Sequence, residues 1–228
     1  MPPRDTRSLI LETAIALFNR LGTAGVSTNR IAAECGISKG NLNYHYRTRR
    51  EIILDIFSLM RDEIHGHWAH DDRTPTMAHM RFMFLRQMGM VRRYRFFYHD
   101  LVGILNDDPL LQARYNELRD RRMAALRRFM QALASQGLIA LPAEEEALDC
   151  FLTSTWVLSE HWINYVETFG GAVDDAAVAR GYAVLINLVR PYLTPAGLHA
   201  LAAAEQAGGA PDTLANSTNG TETDQQTP

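Results

Sequence analysis

Apolar side chains recur at intervals of three and four residues over most of the first 68 positions, the spacing of one buried face on an α-helix. Gly22 and Gly36 end two of these stretches, and Ser27, Ser38 and Thr48 stand where an N-cap side chain would accept from free helix amides. The pattern predicts four helices, over residues 7–21, 28–35, 39–46 and 49–68.

A polar segment at residues 69–76, containing Pro75, is typical of a connection between two bodies. Beyond it the helical spacing continues to Pro195, and no strand pattern competes with it. It predicts helices over residues 77–94, 96–106, 109–136, 144–168 and 174–193. Residues 202–228 are small, polar and acidic, which predicts a disordered tail. The expected fold class is all-α.

Charge is distributed unevenly along the chain. The net charge of −3 taken alone disfavours a nucleic-acid binder. Residues 1–50, however, carry eight basic and three acidic side chains, a net +5, so the remaining 178 residues sum to −8. This asymmetry is what a protein needs if only its first quarter meets a phosphate backbone.

No apolar run approaches the roughly 18 residues that a membrane span requires, so we expect no membrane partner. Charged residues at Arg4, Asp5, Arg7 and Glu12 leave no apolar core for a signal peptide. We therefore expect a cytoplasmic protein.

Candidate catalytic and metal-binding chemistry is sparse. Cys35 and Cys150 lie far apart, without a CxxC or a nearby histidine, and are expected to be buried reduced thiols. The histidines of HGHWAH, at residues 65–70, lack the spacing of a zinc motif. Because no nucleophile with a base, carboxylate pair or metal cluster is recognisable, we expect no enzyme, no metal and no cofactor.

Residues 27–46 have the pattern of a helix-turn-helix, in which two short helices cross closely and the second enters the major groove of DNA. Ala32 is small where the helices approach, and Gly36 supplies the positive φ that turns the chain. Apolar residues occupy the positions that face the core, at Ile31, Cys35, Ile37 and Leu42.

The sequence GISKGNLNYHYRTRREII, preceded by STNRIAAECG and by a helix ending ALFNRLGTAGVST, resembles the DNA-binding region of the TetR family of bacterial transcriptional regulators. The resemblance covers about the first 65 residues and departs at Asn43 and His45, where the family commonly carries tyrosines. It implies a homeodomain-like three-helix DNA-binding domain over residues 4–66. A larger helical domain for ligand binding and dimerisation would follow over residues 77–195.

By position, the resemblance also implies which side chains meet double-stranded DNA. Those placed at phosphates are Ser27, Thr28, Tyr44, His45 and Arg49. Those placed near base edges are Asn29, Lys39, Gly40, Asn41 and Asn43, with Ser38 at the helix start whose amides favour a phosphate.

Several of these residues have a structural alternative. Ser27, Thr28 and Ser38 would cap helices with or without DNA, and Tyr46 is expected in the core rather than at a contact. The basic residues Arg47, Arg49 and Arg50 could form a merely solvated face.

The resemblance further implies that the last two helices form a four-helix bundle in a homodimer. The helix from Glu144 is apolar around more of its circumference than one monomer core requires, and the last helix carries Gly181 and Ala183, which are small enough for close helix approach. The expected dimer contacts are Phe151, Thr155, Trp162, Tyr182, Leu185 and Val189. Two copies would place their recognition helices in successive major grooves of a palindromic operator, about 34 to 36 Å apart.

A methionine- and aromatic-rich segment at residues 77–105 is the candidate ligand pocket. The expected pocket residues are Met80, Met83, Phe84, Met88, Phe97, Tyr98, Trp156 and His161. A stripe of this composition at helical spacing is more often core than pocket, and that alternative stays open.

The resulting hypothesis is a homodimeric repressor that an unidentified small-molecule effector releases from its operator. Two alternatives remain. One is an all-helical enzyme or carrier with a structural helix-turn-helix remnant, and the other is a ligand-independent regulator or an activator.

Overall fold

The computed structural model describes residues 5–68 and 74–207. Within these ranges the chain forms eleven α-helices and one turn of 3-10 helix, so the predicted all-α class is confirmed. Their bounds are α1 Thr6–Leu21, α2 Thr28–Glu34, α3 Lys39–His45, α4 Arg49–Trp68, α5 Met77–Arg93, α6 Arg95–His99, α7 Leu101–Asp107, α8 Pro109–Ser135, α9 Glu145–Thr168, α10 Asp175–Val189, the 3-10 turn Arg190–Tyr192 and α11 Pro195–Ala207. None of the described helices is both long and apolar enough to cross a membrane.

The helices α1 to α3 and the first turns of α4 form a compact unit, here named the reading head. Its centre is apolar, and Ile10, Ile31, Leu42 and Ile56 have no exposed surface. The Oγ atoms of Ser27, Ser38 and Thr48 accept hydrogen bonds from the amides three residues later at 3.2, 3.1 and 3.2 Å. These N-caps fix where the short helices begin, since each satisfies an amide that the helix cannot pair itself.

The helices α5 to α11 form a second unit, here named the helical body. Helix α9 lies against α10, α5 and α8, and α11 covers α5. Aromatic rings fill the space between α4, α6 and α8, where Phe97 stacks on Phe57 at 5.8 Å and lies 6.0 Å from Tyr115.

The single helix predicted over residues 96–106 is wrong, because the chain breaks it into α6 and α7 at Asp100. Asp100 leaves helical geometry with ψ near 13°. Its Oδ2 accepts from both the amide and the hydroxyl of Thr23, at 3.1 and 2.6 Å. The break therefore coincides with a contact to the reading head.

The prediction that helical structure stops near Pro195 and that the chain is disordered from Ala202 is wrong for residues 195–207, which form α11. Proline suits the first position of a helix as well as the end of one, and the hydroxyl of Thr194 accepts from the Gly197 amide at 3.0 Å as a cap. Leu201 is buried against the body. The predicted disorder of residues 208–228 lies outside the described residues.

Polar contacts at three places fasten the reading head to the body. The first is at Asn19, whose side chain donates to the carbonyl of Arg93 at the end of α5, at 2.8 Å, and accepts from the amide of Phe96 in α6, at 3.0 Å. Nη2 of Arg95 also donates to the Asn19 carbonyl, at 3.1 Å. The second contact is the pair of Thr23 bonds to Asp100. The third is a two-pronged ion pair, in which the guanidinium of Arg50 donates to both oxygens of Asp108 at 2.6 and 2.7 Å.

Asp108 serves two helices at once. Its side chain is 3% exposed, and its Oδ1 also accepts from the amides of Leu110 and Leu111 at 3.1 and 3.2 Å, capping α8. The Arg50 hydrogen bonds, with help from these amides, hold the pKa of the Asp108 carboxyl below its usual value. The charged carboxylate is thus the form that the folded protein favours.

Replacing Asp108 with alanine is expected to lower the free energy of unfolding by about 1 to 2 kcal/mol, because α8 loses its cap. Asp108→Asn should lose less, since asparagine also caps helices. Urea unfolding at a fixed protein concentration measures both.

Because the folded pKa of Asp108 is lowered, its stabilisation should be complete above the ordinary aspartate pKa of about 3.9 and lost as pH falls through the folded value. Asp107→Asn, at an exposed neighbour, is the matched control. If the Asp108→Ala variant were as stable as the wild-type protein at pH 7, the stabilising role of the Asp108 carboxylate would be contradicted.

Candidate nucleic-acid interface and ligand cavity

The helix-turn-helix consists of α2, a four-residue turn and α3. In the turn Gly36 has a φ of +68°, and the amide of Ile37 donates to the carbonyl of Ala32 at 3.1 Å. Ala32 is 3% exposed, as expected of the position where the helices approach. The turn therefore needs a left-handed residue at position 36, which glycine adopts without steric cost.

Helix α3 presents nearly all of its polar residues to solvent. It buries Leu42 and half-buries His45, and Tyr44 is 86% exposed. The other predicted base-edge residues of α3 are exposed as well, namely Lys39, Gly40, Asn41 and Asn43. Lys39 is the only lysine of the chain. Asn29, on α2, is also exposed.

Gly40 has no structural need to be glycine in the free protein. A Cβ built on it would meet only the Oγ of Ser38, at 3.8 Å, which is an ordinary contact. Because Gly40 is exposed at the start of α3, the space beside it is open to a molecule that approaches this helix from outside.

Several of the side chains predicted at the DNA also have partners within the chain. Ser27 and Ser38 act as N-caps, as the structural alternative predicted. Thr28 is half-buried, and the ring of His45 lies 5.3 Å from that of Tyr44. Arg49 donates through Nη1 to the carbonyl of Thr23 at 2.7 Å, which leaves part of its guanidinium for a phosphate. Their contact with DNA stays a prediction.

Tyr46 is a core residue, as predicted. Its hydroxyl donates to Asp55 at 2.7 Å and accepts from the Nε of Arg7 at 3.0 Å. Burial, followed by the hydrogen bond to Asp55, raises the pKa of Tyr46 to about 12. The alternative that the basic residues form a merely solvated face does not hold for Arg50, which is paired with Asp108.

A cavity of about 90 Å³ lies in the helical body, bounded by α4, α5, α8, α9 and α10. Most of its lining is apolar. The lining residues are Ile64, Met80, Phe82, Met83, Phe84, Arg86, Gln87, Arg122, Leu126, Phe129, Met130, Thr155, Trp156, Ser159 and Leu185. Four predicted pocket residues are among them, namely Met80, Met83, Phe84 and Trp156.

The other four predicted pocket residues do not line this cavity. Phe97 belongs to the ring stack between α4, α6 and α8, and Met88 and Tyr98 are buried in the core. His161 is exposed on α9. Helical spacing alone did not distinguish the cavity face of α5 and α9 from the faces beside it.

The polar end of the cavity was not predicted. There Arg122 donates to Glu160 at 2.6 Å and to the Oε1 of Gln87 at 2.8 Å, and Gln87 donates to the same Glu160 oxygen at 2.8 Å. All three side chains are buried, Glu160 to 1% exposed. The guanidinium carbon of Arg122 lies 4.4 Å above the Trp156 ring. The available signal was one polar or charged residue within each otherwise apolar helix face, namely Gln87 on α5, Arg122 on α8 and Glu160 on α9.

The buried trio also influences Tyr98 of α6. Burial raises the pKa of Tyr98 well above its usual value, and the negative charge of Glu160 adds to this effect. The Tyr98 hydroxyl interacts with Gln87. Through Tyr98 the polar end of the cavity therefore touches the helix that carries two contacts to the reading head.

Four of the six predicted dimer contacts are contradicted, since Phe151, Thr155, Leu185 and Val189 are each at most 5% exposed within one protomer. Trp162 and Tyr182 are half-buried, and Trp162 donates to the Ala177 carbonyl at 2.8 Å. The large apolar residues exposed in this region lie elsewhere, at Val157 and Tyr165 on α9, Phe169 directly after α9, and Val184 on α10. Here they are named the outer face.

The described residues contain no cluster of His, Cys, Asp or Glu that could hold a metal ion. The side chains of residues 65–73, which include the HGHWAH histidines up to residue 70, lie outside the described set. Cys35 is half-buried and Cys150 is exposed, so the prediction of two buried thiols is wrong for Cys150.

Comparison with known proteins supports the DNA-binding interpretation of this geometry. A family model described as "Bacterial regulatory proteins, tetR family" matches residues 10–56, and one described as "Bacterial transcriptional repressor" matches residues 60–201. A TetR-family regulator from Marinobacter aquaeolei VT8 is 32% identical with a TM-score of 0.80, over 89% of this chain and 98% of that one. The chain belongs to the TetR family. It is therefore a DNA-binding transcriptional regulator and not an enzyme.

Two further regulators match shorter stretches of this TetR regulator, and a third shares its fold at lower identity. It is 36% identical over 50 residues to the regulator YerO of Bacillus subtilis and 28% over 61 residues to AcrR of Shigella flexneri. These matches span 22% and 27% of this chain, but only 17% and 28% of the two relatives. AibR, solved with isovaleryl coenzyme A and operator DNA, shares the fold at 17% identity and a TM-score of 0.62, over 82% of this chain and all of that one.

Two glycines of the helix-turn-helix should respond differently to alanine. Gly36→Ala is expected to lower the free energy of unfolding by about 1 to 2 kcal/mol, because its φ is left-handed. Gly40→Ala, in a helix with open space around it, should be neutral or stabilising by less than about 1 kcal/mol. Urea unfolding of both variants at one protein concentration measures the contrast, and equal stabilities would refute it.

Proposed function

We propose that this TetR regulator is a homodimeric repressor, and that a small molecule entering the cavity of the helical body releases it from a palindromic operator. The observation that carries the proposal is the connection between cavity and reading head. Ile64, near the end of α4, lines the cavity, whereas Arg49 and Arg50 at the start of α4 contact the reading head and α8. One helix thus reaches both sites.

Helix α6 provides a second connection. Its Tyr98 interacts with Gln87 at the cavity, and the amide of Phe96, two residues earlier, donates to Asn19 of the head. Asp100, directly after α6, accepts from Thr23. A ligand that displaces Gln87 or Ile64 would act on the same elements that orient α3. Release requires that the ligand bind the released conformation more tightly than the DNA-bound one.

The exposed surface of α3 supports the role of this helix in reading bases. An asparagine side chain can pair with adenine through two hydrogen bonds, and lysine can donate to guanine. Asn41 and Asn43 are exposed on α3, with Lys39 at its first position. Gly40 would let the DNA backbone approach closely, since no part of the free protein fills the space beside it.

The outer face of α9 and α10 is the dimer surface of this proposal. Val157, Tyr165, Phe169 and Val184 are between 42% and 76% exposed, although they are large and apolar. Apolar residues exposed on two adjacent helices are suited to a two-fold interface, in which the same patch meets its own copy. Such a dimer would present two reading heads to the two halves of a palindromic operator.

DNA recognition is tested with sites that the protein selects from its own genome, by gel shift against random DNA of equal length. Asn41→Ala should lose about 1 to 3 kcal/mol of discrimination at one base position and little affinity for random DNA. Gly40→Ala should weaken binding to every sequence while keeping its stability.

The proposal fails if the wild-type protein binds selected and random DNA equally. Footprint position relative to the promoter separates a repressor from an activator.

The dimer surface is tested with a charge placed on the outer face. Val184→Arg should shift the protein from dimer to monomer in sedimentation equilibrium, because it would bury an unpaired charge at the interface. Val102→Arg, on α7 at a residue 73% exposed, is the matched control and should leave the dimer intact. A Val184→Arg dimer as tight as that of the control would refute this surface.

A further inference from the structure

The polar end of the cavity restricts what kind of molecule the cavity accepts. Arg122 and Glu160 form an ion pair of 2.6 Å with side chains 9% and 1% exposed. Among the described side chains, no other ion pair has both partners so deeply buried. The pair leaves this end of the cavity electrically neutral.

A charged ligand would disturb that balance. A carboxylate would have to compete with Glu160 for Arg122, and an ammonium group would lie beside the Arg122 guanidinium. In either case one charge beside the trio would stay buried without a partner, which is strongly unfavourable in an apolar site. Arg86, the other charged lining residue, is exposed, with its guanidinium carbon 5.6 Å from the centre of the Phe82 ring. The neutral trio therefore favours an uncharged ligand.

The trio nevertheless has hydrogen-bond donors to offer. A guanidinium carries five N–H groups, and the described partners of Arg122 take two of them, from Nη1 and Nη2. The Nε of Arg122 is buried and has no hydrogen-bond partner among the described residues. Glu160 Oε2 is likewise buried without one, but Glu160 does not line the cavity. Arg122 does line it, so the group that the cavity presents is a donor.

The rest of the lining is suited to an apolar body. Apart from Arg86, Thr155 and Ser159, the lining residues beyond the trio are apolar, and both hydroxyls already donate to helix carbonyls at 2.7 and 2.8 Å. The volume of about 90 Å³ is smaller than the roughly 150 Å³ of an engineered cavity that admits benzene. Met80, Met83 and Met130 are flexible enough to enlarge it for a single ring.

We propose that the effector site accepts an uncharged, mainly apolar small molecule with one hydrogen-bond acceptor, such as a carbonyl oxygen, which binds Arg122. The inference rests on the proposed function only in treating the cavity as the effector site. Ligand binding to the free protein tests it without DNA.

Four probes of nearly equal size separate the contributions: acetophenone, ethylbenzene, benzoate and benzylammonium. Titration of the full-length protein at pH 7, followed by NMR, should give acetophenone the tightest binding. Its affinity should exceed that of ethylbenzene about tenfold, because a hydrogen bond to a charged donor is added. Benzoate and benzylammonium should bind at least tenfold more weakly than acetophenone.

Arg122→Met combined with Glu160→Gln removes both charges and the donor together. In this variant acetophenone should lose its advantage, and the two neutral probes should bind within about twofold of each other. Arg127→Met with Asp149→Asn, an ion pair on the outside of the same two helices, is the matched control. If the cavity variant fails to fold, the ranking of the four probes with the wild-type protein still tests the proposed ligand class.

The inference is overturned if benzoate or benzylammonium binds as tightly as acetophenone, if acetophenone has no advantage over ethylbenzene, or if none of the probes binds. Each of these results is compatible with specific operator binding, so none of them would contradict the role of the protein as a DNA-binding regulator. If acetophenone binds with the expected ranking but does not weaken the operator complex, the ligand class is supported and the release mechanism is refuted.

Discussion

The carboxylate of Asp108 joins parts of the molecule that are far apart in sequence. It caps α8, the longest described helix, and it pairs with Arg50 at the start of α4. The first turns of α4 belong to the reading head, and its far end lines the cavity. The angle between the head and the body therefore depends on the Arg50–Asp108 ion pair. Asn19 adds a contact with α6, and Thr23 adds one with Asp100 directly after it. These polar contacts can be exchanged with water, whereas the ring of Phe18 in α1 also packs against that of Phe96 in α6, with centroids 5.1 Å apart.

The reading head was predictable because its determinants are local. Ser27, Ser38 and Gly36 each act on residues within a few positions of themselves, so a cap or a turn can be recognised without knowing the fold. The helical body was less predictable for a related reason. Helices α9 and α10 are apolar around much of their circumference, and only the packed structure shows which side meets α5 and which side forms the outer face.

Two errors have specific physical causes. Proline is found both after the end of a helix and at its first position. Here Thr194 caps the segment that follows, so α11 begins at Pro195. The buried trio escaped prediction because its members are 35 to 73 positions apart and meet only after α5, α8 and α9 pack together. A buried ion pair of this kind contributes little net stability, since desolvation opposes the attraction. Its effect is on which molecules fit beside it.

The presence of a single lysine, Lys39, determines where the chain can be modified at a side-chain amine. As the only lysine, it is the only side-chain amine that the protein offers to acylating reagents or to enzymatic acetylation. It is exposed at the first residue of α3, the helix proposed to enter the major groove. Acylation would remove one positive charge at that helix and leave every arginine unchanged. Lysine side-chain acylation of this regulator is thus confined to the start of α3.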